Sequence, residues 1–407
     1  MVDQSSENNV TELESRYGLP ATVKFCKLCV MSNQRPSSTV EFKNVDKKQG
    51  LIIHDDDICE GCRQHHRKWH EIDYDARQKV LEEVLDQHRS KDGSYDVIVP
   101  GSGGKDSFYV THILKHKYGM HPLTVTWPPH MYTDIGWDNF ERWTQEFDNI
   151  SFTPARQAHR LLTREAFLNL LHPFQPFILG QKYIGPKIAQ RYGIKLVFYG
   201  ETESEAGSRV DPSNPKMDPR FFAVPRSEQK NIVIGKRNYQ ELLDMGLSQT
   251  DLIPYLPVAI EDMVENDISV YYMSWFENWR SQEKYYYSME HCDFQPNPER
   301  TEGTFTKFSG LDDKIDGLQF YTTYIKFGIG RATYDAAQEI RHRYITRDEG
   351  VALVKRYDGE FPKKYHQECL EYMGIDEETF WKTIDSYRSP HIWKKDGNDW
   401  VMRHEIS

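Results

Sequence analysis

The sequence predicts an α/β protein: a parallel-sheet domain, preceded by a four-cysteine module and followed by a mainly helical C-terminal region. Three observations carry this expectation. Apolar strand-like runs alternate with helical periodicity between residues 95 and 200, two CxxC motifs lie before them, and beyond residue 236 the pattern is mostly helical and aromatic. A chain of 407 residues exceeds a typical single core. The expected division is a flexible tail over 1–21, a cysteine module over 22–72, the sheet domain over 90–235 and a C-terminal substrate or partner region over 236–407.

Composition bounds the class. Hydrophobic residues make up 38% and aromatic residues 13%, enough to build globular cores. No apolar run approaches the roughly 18 residues a membrane span needs. The start, Met1-Val2-Asp3-Gln4-Ser5-Ser6-Glu7, lacks the basic and apolar regions of a secretion signal. A cytoplasmic protein with no membrane partner is expected. The net charge of −11 repels polyanions, so nucleic acid is not an expected partner.

Along the chain, Cys26-Lys27-Leu28-Cys29 and Cys59-Glu60-Gly61-Cys62 are two knuckles that can set four thiolates around a tetrahedral zinc. Four cysteine ligands leave no position for water, so such a zinc is structural. A disulfide pair is the alternative, disfavoured where thiols stay reduced. Nearby His54, His65, His66 and His70 are spare candidates. Ala76, Val80, Val84 and Leu85 predict a helix over 73–90. Strands are expected at Tyr95–Pro100, Pro122–Trp127 and Lys195–Tyr199. Helices are expected over 137–147, 156–171 and 181–192, with one more holding Phe108, Val110, Ile113 and Leu114. Residues 208–230, rich in Pro, Ser, Asn and Arg, read as a linker or substrate loop. Thr346-Arg347-Asp348-Glu349 is a capping box opening a helix to about Arg356, and helices over 362–373 and 376–387 follow.

The chemistry centres on Ser102-Gly103-Gly104-Lys105-Asp106-Ser107, where the first strand hands over to a helix. Small residues let backbone N–H groups approach an anion, and the helix adds its positive end. A Walker A loop is excluded, because Val99 and Asp106 stand where Gly and Ser or Thr are required. The run resembles the SGGxDS loop of PP-loop ATP pyrophosphatases, matching it at every fixed position. That resemblance implies ATP cleavage between the α and β phosphates, with the substrate activated by adenylation. Ser102, Gly103, Gly104 and Ser107 then offer phosphate donors, Lys105 a charge for developing pyrophosphate, and Asp106 a ligand for Mg2+, which favours carboxylates together with substrate phosphates. In such enzymes the end of the next strand lies against adenine, which points to Thr126 and Trp127. Ligands of open parallel sheets bind beyond the carboxyl ends of the strands. Gly200 and Glu201 sit there, within a cluster that also holds Glu203 and Glu205. Glu201 is a candidate base, magnesium ligand or substrate contact. Lys314, Lys326 and Arg331, around the segment Asp312–Thr333, are candidates to neutralise pyrophosphate or hold an acidic sugar.

The order of Cys26-x-x-Cys29, Cys59-x-x-Cys62, Ser102–Ser107, Pro128-Pro129 before Tyr132-Thr133-Asp134, Tyr199-Gly200-Glu201 and Phe327-Gly328-Ile329-Gly330-Arg331-Ala332-Thr333 resembles the N-acetyl sugar amidotransferases of surface-polysaccharide and nonulosonic-acid pathways. The resemblance spans most of residues 22–387. It implies conversion of an acetamido to an acetamidino group, with ATP, Mg2+ and ammonia. Residue 2 is Val, and neither Cys292 nor Cys369 lies in a glycine-flanked nucleophile turn, so ammonia is expected from a separate glutaminase, with a possible channel subunit. Two other readings remain: tRNA thiolation, with Cys292 or Cys369 carrying sulfur, and a non-catalytic ATP-binding zinc module.

Overall fold

Strand β1 (Val97–Pro100) is buried at all four residues, as a strand covered on both faces must be. The computed structural model describes residues 13–37, 43, 48–202, 207–208 and 211–407. In it β1 pairs in parallel with β2 (Pro122–Thr126), and β2 pairs with β3 (Asn149–Ser151). On the other edge of β1 lies β4 (Leu196–Tyr199), followed by β5 (Ser269–Tyr272), all parallel. The order is therefore β3-β2-β1-β4-β5. The order reverses between β1 and β4, and a crevice opens at such a switch point beyond the strand ends.

Alternation along the strands fills two cores. Val97, Val99, Leu196 and Phe198 face helices α2 (Tyr74–His88) and α3 (Lys105–His112), which follow α1 (Glu60–His70) in the chain. On the same side, α4 (Asp134–Glu146) packs Trp143 against Phe108 of α3. Ile98, Leu123, Val125 and Val197 face α5 (Arg156–Leu170) and α6 (Gln175–Tyr192). Met217, Phe222, Ala223 and Val224 join this second core. Within the segment expected as a linker or substrate loop over 208–230, these four residues are packed apolar chain, while most of its other described residues are exposed. β5 lies beyond residue 235, inside the segment expected to be mainly helical; its Val270 and Tyr272 are drawn into the sheet core.

After α7 (Ser281–His291), the C-terminal region forms α8 (Asp316–Phe327), α9 (Arg331–Arg341), α10 (Arg347–Tyr357), α11 (His366–Met373) and α12 (Glu377–Ser386), then a hairpin of β6 (Trp393–Asp396) and β7 (Asp399–Met402). The capping box at Thr346 and Glu349 is formed. These helices share one core with the cysteine module: Cys26, Cys29, Val30, Met31, Leu51 and Cys59 pack with Leu318, Ile325, Ile329, Ala336, Ala337 and Phe380. The described part of the expected tail is docked rather than loose. Leu19 enters this core, Tyr17 stacks on Tyr387 at 5.9 Å, and Arg16 donates to the Ser386 carbonyl at 3.0 Å. No helix among the described residues is long and apolar enough to cross a membrane.

Candidate active site and cysteine centre

The glycine-rich loop begins where β1 ends. Gly101 N–H still bonds to Val125 O at 3.0 Å, so the loop leaves the sheet in fixed register. Gly103 has φ +83, and a Cβ there would lie 2.9 Å from Asn139 O and the Phe140 backbone; only glycine fits. Gly104 caps α3 without a side-chain hydrogen bond, which leaves first-turn N–H groups able to bind an anion. Ser107 Oγ donates to Gly104 O at 2.9 Å, and Ser288 Oγ of α7 donates to Lys105 O at 2.8 Å. Lys105 is only 7% exposed, and its ammonium contacts both Asp106 carboxylate oxygens at 2.7 Å.

Across the switch point, Gly200 O accepts from Ser274 N–H at 3.0 Å, and a Cβ on Gly200 would touch Asp106 Cβ at 3.4 Å. The strand ends therefore bring Gly200 beside Asp106, with Glu201 the next residue in the chain. Glu203 and Glu205 lie outside the described residues. Thr126 is enclosed: its Oγ1 accepts from Asn149 Nδ2 at 3.0 Å and its carbonyl accepts from Phe152 N–H at 2.9 Å. Trp127 is buried too, against α6.

The C-terminal region closes the crevice from above. Ser102 Oγ donates to Asp312 Oδ2 at 2.7 Å. The segment around Asp312 is tied to the chain after β2, since Asp313 accepts from His130 N–H and His130 Nδ1 at 2.7 Å each, and Lys314 N–H donates to Met131 O at 2.9 Å. Burial, reinforced by Asp313, raises the pKa of Asp312, while the Ser102 bond opposes the shift. Asp316 is raised well above the usual range by burial and by Asp312 and Asp313.

Helix α9 presents four polar residues to this region. Gln338 Nε2 donates to Glu201 Oε1 at 3.0 Å. Arg331 Nε donates to Asp335 Oδ1 at 2.9 Å and Nη2 to Ser309 Oγ at 3.0 Å. Burial opposes the charge on Arg331, but Asp335, Asp316 and Glu201 outweigh it and hold the guanidinium charged. Burial and Asp335 push Glu339 up to about 7, with Lys105 drawing it back. Asp335, Gln338 and Glu339 went unread in the sequence; their i+4, i+7 and i+8 spacing from Arg331, one face of a helix, was the available signal.

Lys314 and Lys326 are placed elsewhere. Lys314 pairs with Glu368 at 3.0 Å and borders a cavity of 860 Å³ whose lining includes Arg300, Lys364, Asp313 and Tyr365. Lys326 is buried, donates to Leu170 O at 2.6 Å at the end of α5, and lies 4.9 Å from the Tyr17 ring. It satisfies a helix-end carbonyl. Cys292 is buried with Phe108 and Phe294, and burial pushes its thiol up to about 12. Cys369 is likewise raised by burial, its Sγ 3.6 Å from Lys314 O.

Cys26, Cys29, Cys59 and Cys62 are all buried, with their sulfurs within 4.8 Å of one another. Cys26–Cys62 and Cys29–Cys59 sulfur separations are 3.8 and 3.7 Å. A tetrahedral zinc with Zn–S bonds of about 2.3 Å needs sulfur–sulfur edges of about 3.8 Å, so the four residues could hold zinc as they stand. Leu28 and Cys59 N–H groups point at Cys26 Sγ, and Cys62 N–H at Cys59 Sγ, at 3.3–3.4 Å. Arg341, at the far end of α9, lays Nη2 3.7 and 3.6 Å from Cys29 and Cys59 Sγ. Of the spare histidines, His65 is buried against His342, and His54 pairs with Glu60 at 2.9 Å.

Comparison with known proteins adds one match. Residues 302–406 fit the family model described as LPS biosynthesis protein WbpG-like, C-terminal domain. The matched segment holds α8 to α12, including the α9 face that looks onto the glycine-rich loop, and leaves residues 1–301 outside it. A search of curated proteins finds no match.

Proposed function

We propose that the chain is an ATP-dependent amidotransferase of the PP-loop type, converting an acetamido group of an N-acetyl sugar to an acetamidino group in lipopolysaccharide or related surface-polysaccharide synthesis. The observation that carries the reading is the placement of α9, from a segment similar to a lipopolysaccharide biosynthesis domain, where Gln338 holds Glu201 at the end of β4 and Glu339 feels the charge of Lys105 in the strand-to-helix loop. ATP phosphates bind along Ser102–Ser107, where uncapped N–H groups and Lys105 face them. Mg2+ would be held by Asp106 in company with the phosphates, with Glu201, one residue beyond Gly200, as a second candidate carboxylate. It would neutralise phosphate charge.

An amide carbonyl is a poor electrophile with a poor leaving oxygen. Attack of that oxygen on the α phosphorus transfers AMP and releases pyrophosphate, whose charge Lys105 stabilises. Ammonia then adds at the amide carbon, AMP leaves, and the surplus proton needs an acceptor. Glu339, with a pKa pushed up to about 7 and Lys105 nearby, is suited to take it. Arg331, two turns earlier on α9, is held charged by Asp335, Asp316 and Glu201. The 860 Å³ cavity is not assigned to an acidic acceptor, because Asp134, Glu299, Glu302, Asp313 and Glu360 outnumber Arg300, Lys314 and Lys364 on its walls. Ammonia is supplied by a separate glutaminase. The buried, high-pKa thiols of Cys292 and Cys369 disfavour thiolation, which requires a thiolate.

The test offers nucleotide-linked acetamido uronic acids and nonulosonic acids with ATP, Mg2+ and ammonium. Pyrophosphate release that depends on the sugar, together with an acetamido-to-acetamidino mass change, is expected. Absence of sugar-dependent pyrophosphate release with every acceptor would overturn the reading.

A further inference from the structure

At the end of α3 away from the glycine-rich loop, the helix widens into a π turn, Ile113–Lys117, where Tyr118 N–H bonds to Ile113 O at 3.0 Å. Such turns are rare and recur at functional sites. This one separates His112 from His116, whose rings lie 4.4 Å apart. Glu146, the last residue of α4, reaches His116 Nε2 with Oε1 at 2.8 Å. His112, His116 and Glu146 each offer one ligand atom, and the three atoms lie within 4.8 Å of one another.

We propose that His112, His116 and Glu146 form a second metal site, for a zinc-like divalent ion, separate from the four cysteines. Two imidazoles and a carboxylate suit zinc, copper or nickel, whereas magnesium prefers an all-oxygen shell. The surroundings are those of a ligand set. His112 Nδ1 is engaged by Tyr287 OH of α7 at 2.9 Å, leaving Nε2 for the ion; an outer partner on the second ring nitrogen is the usual companion of a metal-bound histidine. Lys115 Nζ donates to the Glu146 backbone carbonyl at 2.8 Å, fixing the end of α4 beside α3. His116 and Glu146 are partly exposed, so an ion can enter and a water can complete the shell.

The experiment uses untagged full-length protein carrying one equivalent of zinc in its cysteine site. Zinc titration by calorimetry should show a second equivalent, and cobalt substituted at that position should give a visible spectrum without thiolate charge-transfer bands. His116→Ala and Glu146→Gln should each abolish the second equivalent while keeping the first, and Tyr287→Phe should weaken it by about 10- to 100-fold. Metal-free thermal melts of the variants, compared with the parent, establish that they remain folded. The inference is overturned if the parent binds only one equivalent, or if the second survives His116→Ala combined with His112→Ala.

Discussion

Arg341 Nη2 lies 3.6 Å from the Sγ of Cys59, less than one turn beyond Gln338, which holds Glu201, so the C-terminal turn of α9 is joined both to the strand end beside the glycine-rich loop and to the cysteine centre. Gly61 makes room for this contact, since a Cβ there would stand 2.5 Å from the guanidinium. Gly61→Ala is expected to displace Arg341 and destabilise the protein by about 1–3 kcal/mol, as overpacking does. Urea denaturation measures the cost. Zinc chelation should lower the melting temperature and activity together, because α9 loses its anchor. An apo protein that melts like the zinc form would show that the centre does not hold this helix.

Gly103→Ala tests the loop. Its φ of +83 and the 2.9 Å approach to Asn139 and Phe140 leave no room for a methyl group. The substitution should cost about 1–3 kcal/mol of stability through backbone strain. ATP binding, measured by calorimetry, should weaken with it. A variant of parental stability that binds ATP normally would mean that the loop tolerates another path.

The core sheet and the cysteine centre were legible in the sequence because each has a local signature. A strand buried on both faces reads as an unbroken apolar run, as Val97-Ile98-Val99 does, and paired knuckles declare four ligands by spacing alone. β3 was missed because Asn149-Ile150-Ser151 is a short edge strand with little burial. The α9 face was missed for a different reason. Asp335, Glu339 and Arg341 are buried, yet charged residues in a helix ordinarily mark its solvent side. They are inside because α9 runs between the four thiols and the loop, a relationship between segments far apart in the chain. Lys326 shows the converse: basic residues near a glycine-rich run suggested phosphate chemistry, but its long side chain reaches a buried helix-end carbonyl instead.

Glu339 makes stability depend on pH. Its carboxyl is pushed from 4.5 up to about 7, chiefly by burial and then by Asp335. Between those values the folded protein keeps a proton that the unfolded chain has released. Stability therefore falls as pH rises through this window, and the loss is complete above about 7. Glu339→Gln removes that titration. The variant should gain stability relative to the parent between about pH 5 and about pH 8, read from urea midpoints. A difference that does not change with pH would refute the raised pKa. The same substitution should remove the acidic limb near pH 7 from the amidation profile.

Lys105 and Lys326 are both buried lysines, and their different partners predict opposite phenotypes. Lys105 faces Asp106 at the head of the loop helix, where pyrophosphate charge would develop. Lys105→Ala should reduce sugar-dependent pyrophosphate release by about 10²- to 10³-fold, the scale for losing one preorganised charge-stabilising group. Its zinc content should stay at the parental level. Lys326 donates to Leu170 O beside Tyr17. Lys326→Met should cost about 1–3 kcal/mol, because a buried carbonyl loses a charged donor. Its kcat, measured where the variant is fully folded, should stay close to the parent's. A Lys326 variant that is stable but inactive would return this residue to the catalytic set.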